Sequence, residues 1–223
     1  MYAANKLKDS SQESFIQSGN LKEQLIYALS HSRGYADIFD WTEPDREQAK
    51  RTKEQGIVDD FVQGIYRDAS PYVRIESCEP PLPDCEATDG FGDKTAFEVT
   101  ELVNAAMVRW NSNRSNAYRY REYSAKELHL AAVERLTTKN RKLQSARAVI
   151  SKAGYEKIVV ILHCDEPDLI QRPEFCRDVF ANRKSPPFCE IDEAYLLLPC
   201  PRKRHLNDFE AEFCQAIPIP LAS

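Results

Sequence analysis

The sequence predicts an α/β protein built on a mixed β-sheet flanked by α-helices, and three observations carry that prediction. Three strand-like runs, Tyr72–Glu76, Asp84–Thr88 and Thr95–Thr100, follow one another with only short connections. A long helical pattern follows: Ser124-Ala125-Lys126-Glu127 is a capping box, and Gly154 is its stop signal. The stretch Lys157-Ile158-Val159-Val160-Ile161-Leu162-His163 is a continuous apolar run with strong strand character. Closely spaced strands pair antiparallel, whereas a strand reached through a long helix pairs parallel.

The remaining elements follow in chain order. Residues 1–20 are polar and rich in Ser, Gln and Asn, and Leu21–Leu29 has the spacing of a short amphipathic helix. Thr42 is a candidate cap, with Pro44 in the first turn of a helix running to about Asp68. Ile57, Val58, Phe61, Val62 and Ile65 should face inward, and Gly56 and Gly64 are places where this helix could break. In the capped helix that ends near Ala153, Leu128, Val133, Leu136, Leu143 and Val149 are the expected core contacts. Ala194–Leu198 is a further strand, and the proline-rich tail from Pro199 is expected on the surface. The resulting division is an N-terminal polar and helical segment (1–42), an α/β domain (43–200) and a C-terminal tail (201–223).

Composition narrows the class. The chain has 223 residues, 42% hydrophobic and 29% charged, enough for one well-buried domain. No apolar run nears the roughly 18 residues of a membrane span, and the N-terminus lacks the apolar core of a signal peptide. The seven cysteines include no CxxC pair, which points to free thiols in a reducing, cytoplasmic setting. Cys189, Cys200, His205 and Cys214 do not have the spacing of a standard zinc site. The net charge is −5, yet Leu102–Lys152 holds 11 Lys/Arg against 3 Glu, a local balance of +8. Such segregation is the footprint of one basic face on an acidic protein.

The chemistry-bearing residues stand around a Gly/Asp-rich turn, Thr88–Asp93. Asp84 lies at the start of the strand before it, in Pro83-Asp84-Cys85-Glu86. Glu98 lies in the strand after it, between Phe97 and Val99. With 97 and 99 facing the core, alternation sends Glu98 and Thr100 into a polar cleft shared with Asp84. Two convergent carboxylates suit a hard divalent cation. Downstream, Arg109, Trp110, Arg114, Arg119 and Arg121 interleave basic and aromatic groups. They read either as a nucleic-acid grip or as a packed loop with solvated arginines. Arg135, Lys139 and Lys142 share one side of the capped helix and should point at the carboxylates. His163, at the end of its strand, reads as a structural histidine.

This arrangement resembles the PD-(D/E)XK, or restriction-endonuclease-like, nuclease superfamily, in its degenerate form ending in "EVTEL". The resemblance covers roughly residues 45–165 and implies an α-β-β-β-α-β core. It implies that Asp84 and Glu98 are metal ligands, that the Val99 carbonyl completes the protein's share, and that Mg2+ (or Mn2+) is the cofactor. The family's Lys falls on Thr100, a departure from the pattern. Leu136-Thr137-Thr138-Lys139-Asn140-Arg141-Lys142-Leu143 resembles the "IxxKxxKL" helix that supplies the Lys in degenerate members, so Lys139 or Lys142 takes that role. An acid on the preceding helix, Glu54 first and Glu47 second, supports the metal or water. The implied activity is metal-dependent hydrolysis of phosphodiester bonds, with DNA ahead of RNA. The alternative is a degenerate nuclease fold that only binds nucleic acid or a protein. No membrane partner is expected, and a homodimer is left open.

Overall fold

A computed structural model describes residues 43–104, 122–199 and 214–222. Helix α1 (Glu43–Tyr66) leads through a short 3-10 turn into strands β1 (Tyr72–Ser77), β2 (Cys85–Asp89) and β3 (Lys94–Glu101). Helices α2 (Ala125–Ser145) and α3 (Arg147–Ala153) precede β4 (Tyr155–His163). Helices α4 (Pro167–Gln171) and α5 (Pro173–Ala181) precede β5 (Glu193–Leu198), and β6 (Gln215–Pro218) comes last. The six strands lie side by side in sequence order in one open sheet. The β3–β4 and β4–β5 pairs are parallel and the other three antiparallel. The fold is therefore mixed α/β, as the strand spacing predicts.

Local chemistry explains the elements. The Asp89 carboxylate accepts from the N–H of Phe91 (2.8 Å) and of Asp93 (3.0 Å), which folds the β2–β3 turn. Gly92 supplies the positive φ of +95° that this turn requires. Ser124 and Glu127 close the capping box at the start of α2: the Ser124 hydroxyl accepts from the Glu127 N–H, and the Glu127 carboxylate accepts from the Ser124 N–H (3.0 Å).

Several expectations need correction. The capped helix does not run unbroken to Ala153; it breaks at Ala146, where the Ser145 hydroxyl bonds back to the Lys142 carbonyl at 2.6 Å. Ile150, seven residues after Leu143 and so on the same face, is the buried residue of α3, whereas Val149 is exposed, and in α1 Ile65 likewise lies at the exposed margin. Conversely, α1 passes through Gly56 and Gly64 without interruption. Finally, the expected surface tail contains β6, which pairs with β5 and buries Ile217 and Ile219 in the core.

The sheet separates two apolar layers. On one face Ala96, Ile158, Val160 and Leu162 pack with Leu128, Ala132, Leu136 and Leu143 of α2. On the other, Cys85, Ala87, Phe97, Val99, Val159 and Ile161 pack with Ile57, Val58, Phe61 and Val62 of α1. Phe61 meets Phe97 edge to face with centroids 5.9 Å apart. Alternation in β3 places Glu98 on the α2 face, between Ala96 and Thr100. Both faces are thus covered. Glu98 does not look into an open cleft; it is 1% exposed, a charge inside the α2 layer.

Candidate active site

The β2–β3 register brings the two carboxylates together. Cys85 pairs with Phe97 and Glu86 with Ala96. Continued by one residue, that register sets Asp84 opposite Glu98 on the same face. Asp84 lies just before β2, and the Val99 N–H donates to its Oδ2 at 2.8 Å. In a strand, the N–H and C=O of one residue point to the same edge. The Val99 carbonyl therefore also faces the Asp84 side, as a ligand role would require.

Helix α2 lies over this pair and delivers both candidate lysines. Lys139 Nζ lies 3.1 Å from Asp84 Oδ2 and also contacts Glu98 Oε2. Lys142 Nζ lies 2.9 and 3.1 Å from the two Glu98 oxygens and 3.6 Å from Asp84 Oδ1. The two differ in access: the Lys139 side chain is 14% exposed and that of Lys142 is 47%. The sequence left the choice between them open, and the structure places both at the carboxylates. Their i, i+3 spacing, which puts both on one helix face, was the signal for this.

Electrostatics follow from the geometry. Burial pushes the Asp84 carboxyl up, but Lys139, Lys142 and the Val99 N–H together hold it below the usual range. Burial pulls the Lys142 ammonium down, but Glu98 and Asp84 outweigh this and raise it. Glu54, on α1, is raised by burial first and by the Asp84 charge second, with Lys139 and Glu98 also acting on it. It therefore sits within the field of the cluster, and Lys50 lies 3.7 Å away. Glu47 is exposed and its charge acts on Arg51. Thr100 is half-buried, two residues beyond Glu98 on the same face.

Arg135, expected to point at the carboxylates with the two lysines, instead lines a cavity of about 310 Å³ with Asn104, Glu122, Tyr123, Glu127 and Glu134. Arg109, Trp110, Arg114, Arg119 and Arg121 lie outside the described residues. His163 pairs with Asp165 at 3.2 Å, and burial lowers its pKa. Register continues Glu101 opposite His163 on the α1 face, away from the carboxylate pair. Lys53 holds Glu101 at 2.6 Å, an ion pair that nothing in the sequence pattern signalled. Cys85, Cys164 and Cys176 are buried free thiols, and Cys189 is exposed.

The donor set fits a hard cation. Asp84, Glu98 and the Val99 carbonyl offer oxygen only, and Mg2+ commonly takes one or two carboxylates with waters and phosphate oxygens. One ammonium already bridges both carboxylates, so their spacing allows a shared cation. Among the described residues, no group of three or more His, Cys, Asp or Glu side chains gathers into a metal cage. Comparison with protein-family models, with curated proteins and with solved structures gives no match. Among the described residues, no helix is long and apolar enough to cross a membrane.

Proposed function

We propose that this protein is a metal-dependent nuclease of the PD-(D/E)XK type, hydrolysing phosphodiester bonds, with DNA ahead of RNA as substrate. The observation that carries the reading is the meeting of Asp84, Glu98, Lys139 and Lys142 at the margin of β2 and β3. The family resemblance, read on the sequence, points to these four residues, which come from three separate segments of the chain. Chance surface charges have no reason to converge on one half-buried point.

Asp84, Glu98 and the Val99 carbonyl would hold Mg2+ or Mn2+. When bound, such an ion lowers the pKa of a coordinated water and offsets charge on the phosphoryl group. The chain's own residues do the rest. Asp84 is held ionised by its neighbours, so it remains a ligand at neutral pH. A lysine from α2 supplies the positive charge that the motif's third position, Thr100, cannot. Lys142, the more exposed of the two, would meet a phosphate oxygen. Glu54, whose carboxyl feels the Asp84 charge, would orient a water from the α1 side.

One observation favours the binding-module alternative: both lysines are already paired with the carboxylates, as in a purely structural ion cluster. Cleavage assays with Mg2+ and Mn2+ separate the two. A nuclease loses turnover by several orders of magnitude in Asp84→Asn and in Glu98→Gln while still binding DNA. A wild-type protein that binds DNA and RNA but cuts neither, single- or double-stranded, is a binding module.

A further inference from the structure

Lys139 stands where a shared cation belongs. Its Nζ touches one oxygen of each carboxylate, Asp84 Oδ2 at 3.1 Å and Glu98 Oε2. Lys142 covers the other two, Glu98 Oε1 at 2.9 Å and Asp84 Oδ1 at 3.6 Å, and also lies 3.1 Å from Glu98 Oε2. All four carboxylate oxygens thus face ammonium groups. A divalent ion shared by these carboxylates needs oxygens at roughly 2.0–2.6 Å. An ammonium and that ion cannot hold the same two oxygens at once.

Charge points the same way. Two carboxylates balance two ammoniums in the structure. A dication in place of the Lys139 ammonium, with Lys142 still paired, leaves one net positive charge in the site, which a substrate phosphate would offset. The exchange also releases positive charge beside the point where substrate would lie. The lysine stem is long, with several rotatable bonds, so its head can leave without moving α2.

We infer, on the basis of the nuclease reading above, that Lys139 is a built-in competitor for the metal. The divalent ion enters by displacing the Lys139 ammonium from Asp84 and Glu98, and the freed ammonium turns toward substrate phosphate. Lys139 thus keeps the site neutral and closed to weakly held cations until metal arrives.

The test uses the full-length wild-type protein. Lysines are pulse-labelled with acetic anhydride with and without saturating Mg2+, and labelling is read peptide by peptide by mass spectrometry. Labelling of Lys139 should rise several-fold with Mg2+. Lys53, which is paired with Glu101 at 2.6 Å on the other face of the sheet, should not change. In calorimetry, Lys139→Met should bind Mg2+ about tenfold tighter than wild type or more, because a charge in contact with the site is gone. If Lys139→Met does not fold, the wild-type labelling decides alone. If Mg2+ binds but labelling of Lys139 stays flat or falls, the displacement is wrong and the nuclease reading stands. If Mg2+ binds neither protein, both fail.

Discussion

Glu98 is a charge placed in an apolar layer, held there by two lysines, and this sets what its removal does. An open-cleft carboxylate could be truncated at no cost, and relief of repulsion from Asp84 could even stabilise the fold. The buried position reverses that expectation. Glu98→Ala strips Lys139 and Lys142 of their main partner in a site where Glu98 is 1% exposed. Breaking a buried pair from one side costs about 3–5 kcal/mol. Urea unfolding should show a loss of that order, and a change within ~0.5 kcal/mol would mean that the cluster is solvated. Activity and stability should therefore fall together in Glu98→Ala, and the near-isosteric Glu98→Gln is the cleaner probe of chemistry.

The pH dependence follows from the same cluster. Asp84 has a lowered folded pKa. Its contribution is full above its unfolded value, about 3.9, and fades as pH falls through the lower folded one. Lys142 has a raised folded pKa. Its contribution is full below about 10.4 and fades as pH rises through the higher folded one. Glu54 runs against both: its folded pKa is raised, so ionising it costs more in the fold, and stability declines as pH climbs past about 4.3. Glu54→Gln should then be more stable than wild type at pH 7, with the difference vanishing by about pH 4. Equal stability at pH 7 in denaturant titrations would show that Glu54 is not under this strain.

At the scale of elements, the site depends on how α1 and α2 cover the two faces of β3. The capping box, the Gly154 stop and strand β4 were all legible, because each is set by local chemistry or by a strong apolar run. The break at Ala146 was not, since no Pro or Gly marks it; the Ser145 back-bond that accompanies it belongs to a common residue type with many outcomes. Gly64 shows the same limit. Within the helix pattern it read as a weak point. In the fold it is a point of contact, where a Cβ would meet the Cys214 carbonyl oxygen at 2.5 Å. Gly64→Ala improves helix propensity yet should destabilise the protein, by roughly 1–3 kcal/mol, through this overlap. Thermal unfolding that shows Gly64→Ala to be stabilised would mean that α1 does not pack this tightly on the segment before β6.

At the scale of the molecule, the sheet is completed by a strand that composition argued against. The Pro-rich segment ending the chain suggested a surface tail, but Ile217 and Ile219 lie 2% and 3% exposed beside β5. A short strand at a sheet edge tolerates proline, and its apolar pattern is too brief to register in sequence. Removing residues 200–223 should strip two buried isoleucines, each contributing about 1.5–3 kcal/mol, and uncover β5. The shortened protein should be strongly destabilised or insoluble, whereas retained cooperative unfolding at the wild-type midpoint would contradict the placement of β6. The opposite holds at the site: Asp84 and Glu98 were legible from residue types and strand spacing, and Lys139 and Lys142 from the resemblance of their helix to the family's Lys-bearing one. Their burial was not, since alternation along β3 cannot tell a cleft from a covered face.

The central claim, that Asp84 and Glu98 share a divalent metal, is tested most directly by Mn2+ itself. Crystals grown with Mn2+ and measured at its absorption edge locate the ion by anomalous scattering. The expected result is a single strong peak between the carboxylates of residues 84 and 98, with Lys139 withdrawn from both. A structure at saturating Mn2+ with no peak there, and with Lys139 still bridging the two carboxylates, would contradict it.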